Sequence, residues 1–105
     1  MPKNYPPFVM ELEKNDPELF KVVSSLFDIA MGPGELDAKT KVLITLALDA
    51  YAGSEQGVAG LAASARSMGI TEGQIAETLR IAYMVSGNVL LHHAAPAFNN
   101  NPRIV

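Results

Sequence analysis

The chain has 105 residues, no cysteine, 8 basic and 11 acidic residues, and a formal net charge of -3. This length predicts one domain over residues 1–105. The lack of cysteine excludes disulfides, thiolate nucleophiles and thiolate-bound metals. No basic run offers the charge that nucleic-acid binding needs, and no apolar run reaches the roughly 18–20 residues that span a bilayer. Since no apolar signal-peptide core precedes residue 8 either, we expect a cytoplasmic protein that binds neither nucleic acid nor membrane.

Apolar residues recur at helical spacing along the chain and never alternate as in a strand, which predicts an all-α bundle of about six helices. Residues 8–14 form the first. Asp16 as cap and Pro17 at the first helical position open the second, which runs to about Ala30. The third, capped by Asp37 and running to about Ala52, is apolar on nearly all sides. Such a helix is buried in the core or against another subunit.

The C-terminal half carries clear helix boundaries. Ser54 is a cap for a fourth helix that is rich in small residues and stops at Gly69. Thr71 and Gln74 have the spacing of a capping box and open a fifth helix. We expect Gly87 to break this helix and residues 88–98 to form a sixth. The buried face of the fifth helix is predicted to contain Ile75, Leu79, Ala82 and Tyr83.

Several stretches together resemble a known family. Residues 34–37 and 43–47 resemble the entry into its central helix, and residues 65–72 resemble the A…G-[VI]-T part of its signature. Tyr83 and Gly87 match the Y-x-x-x-G that follows. Over residues 36–98 the chain is therefore similar to the carboxymuconolactone decarboxylase and alkylhydroperoxidase D-like family. The resemblance implies an all-α fold and a homo-oligomer, either a trimer or a hexamer.

The positions of the family's redox site differ in this chain. The peroxidase branch has a C-x-x-C pair, a histidine and an acidic residue at positions that fall here on Ser54, Gly57, Leu61 and Val42. The decarboxylase branch also lacks the cysteines but usually keeps the histidine. Because a serine hydroxyl does not pass through sulfenic acid or a disulfide, we expect no intrinsic alkylhydroperoxidase activity.

Four ionisable residues are candidates for a different site. Asp49 lies near the C-terminal end of an apolar helix, where the helix dipole disfavours a negative charge. A functional role would explain an acid at this position. Glu55 opens the helix that carries the family's active site. His92 and His93 are the only imidazoles in the chain, and adjacent positions on a helix do not suit one metal ion. Each also has a structural interpretation, as a surface acid, a first-turn acid or an interface histidine, and that interpretation is favoured.

The resemblance and these residues leave three functions to compare. One is an enzyme without cofactor or metal, acting on a small organic acid or lactone. Another is a non-catalytic oligomer that keeps the scaffold and binds a small molecule or a partner. The third, a thiol peroxidase, conflicts with the missing cysteines. A substrate with several carboxylates would call for cationic groups, and the chain offers few, namely Lys39, Lys41, Arg66, Arg80 and Arg103.

Overall fold

The chain is helical throughout the part that the computed structural model describes, residues 5–98. The helices, in chain order, are α1 (Pro7–Met10), α2 (Leu12–Asn15), α3 (Pro17–Met31), α4 (Ala38–Ala52), α5 (Glu55–Ser67) and α6 (Glu72–Ala94), followed by a 3₁₀ turn at Ala95–Ala97. No strand occurs in this range, which confirms the all-α class. The structure divides between Ala38 and Lys39 into two compact units. Arg103 lies outside the described residues.

The N-terminal unit contains α1, α2 and α3. The segment expected as one helix over residues 8–14 forms two separate turns, since so short a stretch is marginal as a regular helix. Asp16 caps α3 as predicted, accepting a hydrogen bond of 3.1 Å from the Leu19 N–H, and Pro17 is its first residue. The Tyr5 hydroxyl donates a 2.8 Å hydrogen bond to Asp28 on α3, and this bond raises the pKa of Tyr5. Tyr5 is thereby fixed to α3.

Two tight turns, at Gly53 and Gly69, connect the helices of the C-terminal unit. Gly53 and Gly69 follow α4 and α5 with φ of 87° and 86°, a conformation that glycine adopts without steric cost. The predicted capping box at α6 is present: the Thr71 hydroxyl accepts from the Gln74 N–H at 3.1 Å, and the Gln74 side chain accepts from the Thr71 N–H at 2.8 Å. These caps define where α5 ends and α6 begins.

A small apolar cluster holds this unit together. Its buried members are Val42 on α4, Ala65 on α5, Ile70 in the turn and Ile75 on α6. Leu43, Leu61 and Met68 pack against them and are partly buried. Leu46, one turn after Val42, is fully buried at 0% exposure. The core therefore joins α4 to the second half of α5 and the start of α6.

Helix α6 departs from two expectations. It continues through Gly87 as one helix of 23 residues, because a single internal glycine costs only about 1 kcal/mol relative to alanine. It ends at Ala94, two residues before Pro96, which disfavours helix at the position before it. Leu79 and Tyr83 were expected on a buried face, but both are exposed, Tyr83 by 81%. Ile75 is the one buried residue of α6 in the described chain.

The second half of α6 exposes apolar side chains around its whole circumference. Seven of its large apolar residues are between 44% and 81% exposed, namely Ile81, Tyr83, Met84, Val85, Val89, Leu90 and Leu91. Helix α4 likewise exposes Ile44, Leu48 and Tyr51, so the expected burial on most sides is met within the single chain only at Val42 and Leu46. Within residues 5–98, no helix has the combination of length and apolar content that crossing a membrane requires.

Candidate functional site

The junction between α4 and α5 brings together the candidate Asp49 and two positions of the family's redox pair. Val42, Leu46 and Asp49 are spaced by four and three residues, so they lie on one face of α4. That face is buried at Val42 and Leu46 and half-buried at Asp49. The core-facing side of α4 therefore extends to Asp49 near the end of the helix. The Asp49 side chain is partly shielded from solvent for this reason.

The turn at Gly53 returns the chain so that α5 begins beside Asp49. The Ser54 N–H donates to the Asp49 carbonyl at 2.9 Å, and the Ser54 hydroxyl caps α5 by accepting from the Gly57 N–H at 3.3 Å. The carboxylate of Asp49 lies directly over Gly57. A Cβ placed on Gly57 would overlap Asp49 Oδ2, and would lie 3.1 Å from Asp49 Cγ and 2.6 Å from Ser54 Oγ.

This position explains an acid at the end of α4. A carboxylate near the C-terminus of its own helix is unfavourable, but the same carboxylate near the N-terminus of α5 faces the positive end of that helix dipole. Within residues 5–98 the Asp49 carboxylate has no hydrogen bond or ion pair. The site is thus a half-buried acid beside a serine hydroxyl at a helix start.

The remaining candidates are placed as follows. Glu55 is the first residue of α5 and is exposed, in the first turn that Ser54 caps. His92 and His93 lie in the last turn of α6, both exposed, with ring centroids 5.7 Å apart. Neither imidazole hydrogen-bonds to Asp49 or Glu55 within the described residues. Over the same range, no group of three or more His, Asp or Glu is arranged to hold a metal ion.

Two other family positions have become part of the apolar core. Val42, where the peroxidase branch has an acid, is a buried member of the cluster, and Leu61, where the family has a histidine, packs against it. Position 57 has no side chain, and position 54 is a helix cap. Of the four positions that the resemblance assigns to the redox site, two therefore belong to the apolar core, and the other two lie at the start of α5 beside the Asp49 carboxylate.

Cationic groups are scarce at this junction. Arg66, at the other end of α5, is bound to Glu72 by hydrogen bonds of 2.6 and 3.0 Å. These hydrogen bonds lower the pKa of the Glu72 carboxyl and raise that of Arg66. Arg66 is thus engaged in joining α5 to α6. An open surface hollow of about 450 Å³ is lined by Met10, Glu11, Glu13 and Lys14 and includes none of the four candidates.

The sequence pattern alone did not connect Asp49 with Gly57. The available signals were the 42–46–49 spacing on one face of α4 and a glycine at the third position of α5. Neither signal places Asp49 beside Gly57 without the turn at Gly53, because that turn determines which part of α5 contacts Asp49.

Comparison with known proteins identifies a family over most of the chain. No curated protein matches the chain. The sequence model of the carboxymuconolactone decarboxylase family matches residues 17–100, which is most of the 105-residue chain and includes α3 to α6. The helical architecture, the lack of cysteine and this match agree with one another. The chain therefore belongs to the carboxymuconolactone decarboxylase family.

Proposed function

We propose that this family member is a cofactor-independent enzyme acting on a small organic acid or lactone, with Asp49 as its acid–base group and without thiol peroxidase activity. The observation that supports it is the Asp49 carboxylate over Gly57, beside Ser54, at the start of α5. A carboxylate held in a protein cleft can take a proton from a substrate and return it. In a decarboxylation, the Asp49 carboxylate takes the proton of the substrate's carboxylic acid, the C–C bond breaks with its electron pair staying on carbon, CO₂ leaves, and the Asp49 carboxyl returns the proton to that carbon.

The state of Asp49 suits such a role. Structural carboxylates are usually satisfied by a cation or by several hydrogen bonds, whereas this one is half-buried with neither in residues 5–98. A substrate group with a proton to share would supply the missing partner. The Ser54 hydroxyl, also next to Gly57, is placed to orient such a group by a hydrogen bond.

Glu55, His92 and His93 remain secondary candidates. Glu55 neighbours Ser54 in sequence and is exposed at the same helix start. A histidine of α6 would join the site only if assembly of several copies brought it there. We therefore propose Asp49 as the acid–base group and keep the other three residues as secondary candidates for that role.

The substrate that fits best carries little charge. Arg66 is already paired with Glu72, and no other cation is bonded to the described residues of the α4–α5 junction. A substrate with several carboxylates would meet one more carboxylate there without a compensating charge. A neutral lactone avoids this repulsion, and a substrate with one carboxylate meets less of it than a substrate with several, so we propose that class rather than carboxymuconolactone itself.

A non-catalytic oligomeric scaffold is the alternative, and the exposed apolar surface of α6 favours it. A scaffold needs an interface but no acid–base group. Under this alternative Asp49 is a dipole-complementing acid at the start of α5 and nothing more. The two proposals share the oligomer and differ in what Asp49 does.

We also propose that the protein is a homo-oligomer, a trimer or a hexamer, with α6 in the interface. The seven exposed apolar side chains of α6 together present on the order of 600 Å². A standard interface covers about 800 Å² on each partner, so α6 alone supplies most of one. Small-molecule binding by each subunit is compatible with either oligomer.

The experiment is a turnover screen of metal-free protein, treated with chelator, against monocarboxylic acids and lactones of a few carbons. Substrate loss and CO₂ release are followed with no cofactor added. Turnover by the wild type that is lost in Asp49→Asn and kept in Glu55→Gln supports the proposal. Consumption of an alkyl hydroperoxide in the presence of a thiol reductant, or turnover that Asp49→Asn leaves unchanged, contradicts it.

A further inference from the structure

Gly57 stands in the first turn of α5 at a position where glycine is a poor choice for helix stability. Only proline is worse in a helix. The reason lies in what surrounds its Cα: the Asp49 carboxylate occupies the volume that a side chain at position 57 would need. Any Cβ there would overlap Asp49 Oδ2 and come within 2.6 Å of Ser54 Oγ.

Gly60 provides the contrast on the same helix. It lies one turn further along α5, and a Cβ placed on it meets nothing within 4 Å. Both residues are glycine and both are helical, so they share the same backbone disadvantage. Only at position 57 does the absence of a side chain leave room for another group.

We propose that Gly57 is the positioning residue of the site: it admits the Asp49 carboxylate to the start of α5, and a side chain at 57 and an inward Asp49 exclude one another. The inference rests on the proposed function, because it states how the acid–base group is held.

The atoms that an added Cβ at position 57 would displace belong to the Asp49 carboxylate and to the Ser54 hydroxyl. Asp49 Cγ would lie 3.1 Å from the added Cβ, so the carboxylate carbon has to move by a few tenths of an ångström. Asp49 Oδ2 and Ser54 Oγ, which are closer to the added Cβ, have to move further. Because Ser54 caps α5, the helix start is disturbed together with the site.

The test compares Gly57→Ala, Gly60→Ala, Asp49→Ala and the double substitution Asp49→Ala/Gly57→Ala in the full chain, by urea unfolding. Helix propensity alone raises the urea midpoint for alanine at either glycine. We expect Gly60→Ala to raise it, and Gly57→Ala to raise it less than Gly60→Ala does or to lower it. We also expect Gly57→Ala to raise it when introduced into Asp49→Ala, since the obstructing carboxylate is then gone.

A second readout reports on the carboxylate itself. In protein labelled with ¹³C at aspartate, Gly57→Ala should shift the Asp49 carboxyl carbon signal, and Gly60→Ala should leave it in place. A Gly57→Ala midpoint that rises as Gly60→Ala does, with the Asp49 signal unmoved, would overturn the proposal. If Gly57→Ala does not fold, recovery of folding in the double substitution supports the proposal and its failure there overturns it.

Failure of this inference is distinguishable from failure of the proposed function. Coupled midpoints together with an Asp49→Asn protein that keeps full turnover would mean that Gly57 positions a non-catalytic acid. Uncoupled midpoints together with turnover that Asp49→Asn abolishes would mean that Asp49 is catalytic but is not held by the space at Gly57.

Discussion

Replacing Leu90 on α6 with alanine should weaken self-association. Leu90 is 68% exposed in the single chain, and burying a whole leucine side chain contributes roughly 1.5–3 kcal/mol. At this exposure, Leu90→Ala removes about 1.5 kcal/mol per copy, or about 3 kcal/mol where two copies of α6 meet symmetrically. Since about 1.4 kcal/mol is tenfold in an equilibrium constant, the dissociation constant should rise by on the order of 100-fold.

Sedimentation velocity over a concentration series measures this change. The wild type should be oligomeric at micromolar concentration, and Leu90→Ala should dissociate at concentrations where the wild type stays assembled. Glu77→Ala, an exposed polar position on the same helix, serves as the control and should sediment as the wild type does. A wild type that is monomeric at micromolar concentration, or a Leu90→Ala protein that assembles equally well, would refute the reasoning from exposed apolar area.

Two further predictions concern stability. Leu46→Ala should cost about 2–5 kcal/mol in urea unfolding, because Leu46 is fully buried and a cavity remains; a loss below about 1 kcal/mol would mean that the site collapses around the smaller side chain. Glu72→Gln should lower stability at pH 7, by a modest amount since both partners are more than half exposed. Arg66 lowers the folded-state pKa of Glu72 below 4.5, so the stabilisation is present above that pH and disappears as the pH falls through the lowered pKa. Urea midpoints of wild type and Glu72→Gln should therefore differ at pH 7 and converge in strong acid, and an equal difference at both would contradict the assignment.

Local boundary signals were the part of the fold that the sequence predicted well. Asp16 and Ser54 as caps, the Thr71–Gln74 capping box and the glycine stop at 69 all occur as expected. Each is decided by atoms within a few residues of the boundary, chiefly an oxygen that accepts a first-turn N–H or a glycine that adopts positive φ. Such signals do not depend on the rest of the chain.

Features that depend on tertiary context were predicted less well. Gly87 does not end α6, because one glycine is too weak a signal against a long run of helix-compatible residues on both sides. Tyr83 and Leu79 follow the spacing of a buried face, yet both are exposed in the single chain. Apolar periodicity predicts which face of a helix is buried, but it does not predict whether the same chain or another copy covers that face.

The candidate site lies between these cases. Asp49 was selected because an acid at the end of an apolar helix needs a reason, and the structure supplies one in the start of α5. Its pairing with Gly57 could not be predicted, since the two are eight residues apart and meet only through the turn at Gly53. His92 and His93, on α6, are not bonded to Asp49 in the described chain, and their part in a site stays a prediction.

The rate of Asp49→Asn relative to the wild type on one substrate tests the central claim most directly. Asparagine keeps the size of the side chain and removes its ability to take up a proton, so the position over Gly57 is retained while acid–base chemistry is lost. We predict a fall in kcat of about 10²–10⁴-fold, with KM little changed and with Gly60→Ala at the wild-type rate. An Asp49→Asn enzyme that keeps the wild-type kcat would contradict the account, because the carboxylate would then have no part in the chemistry.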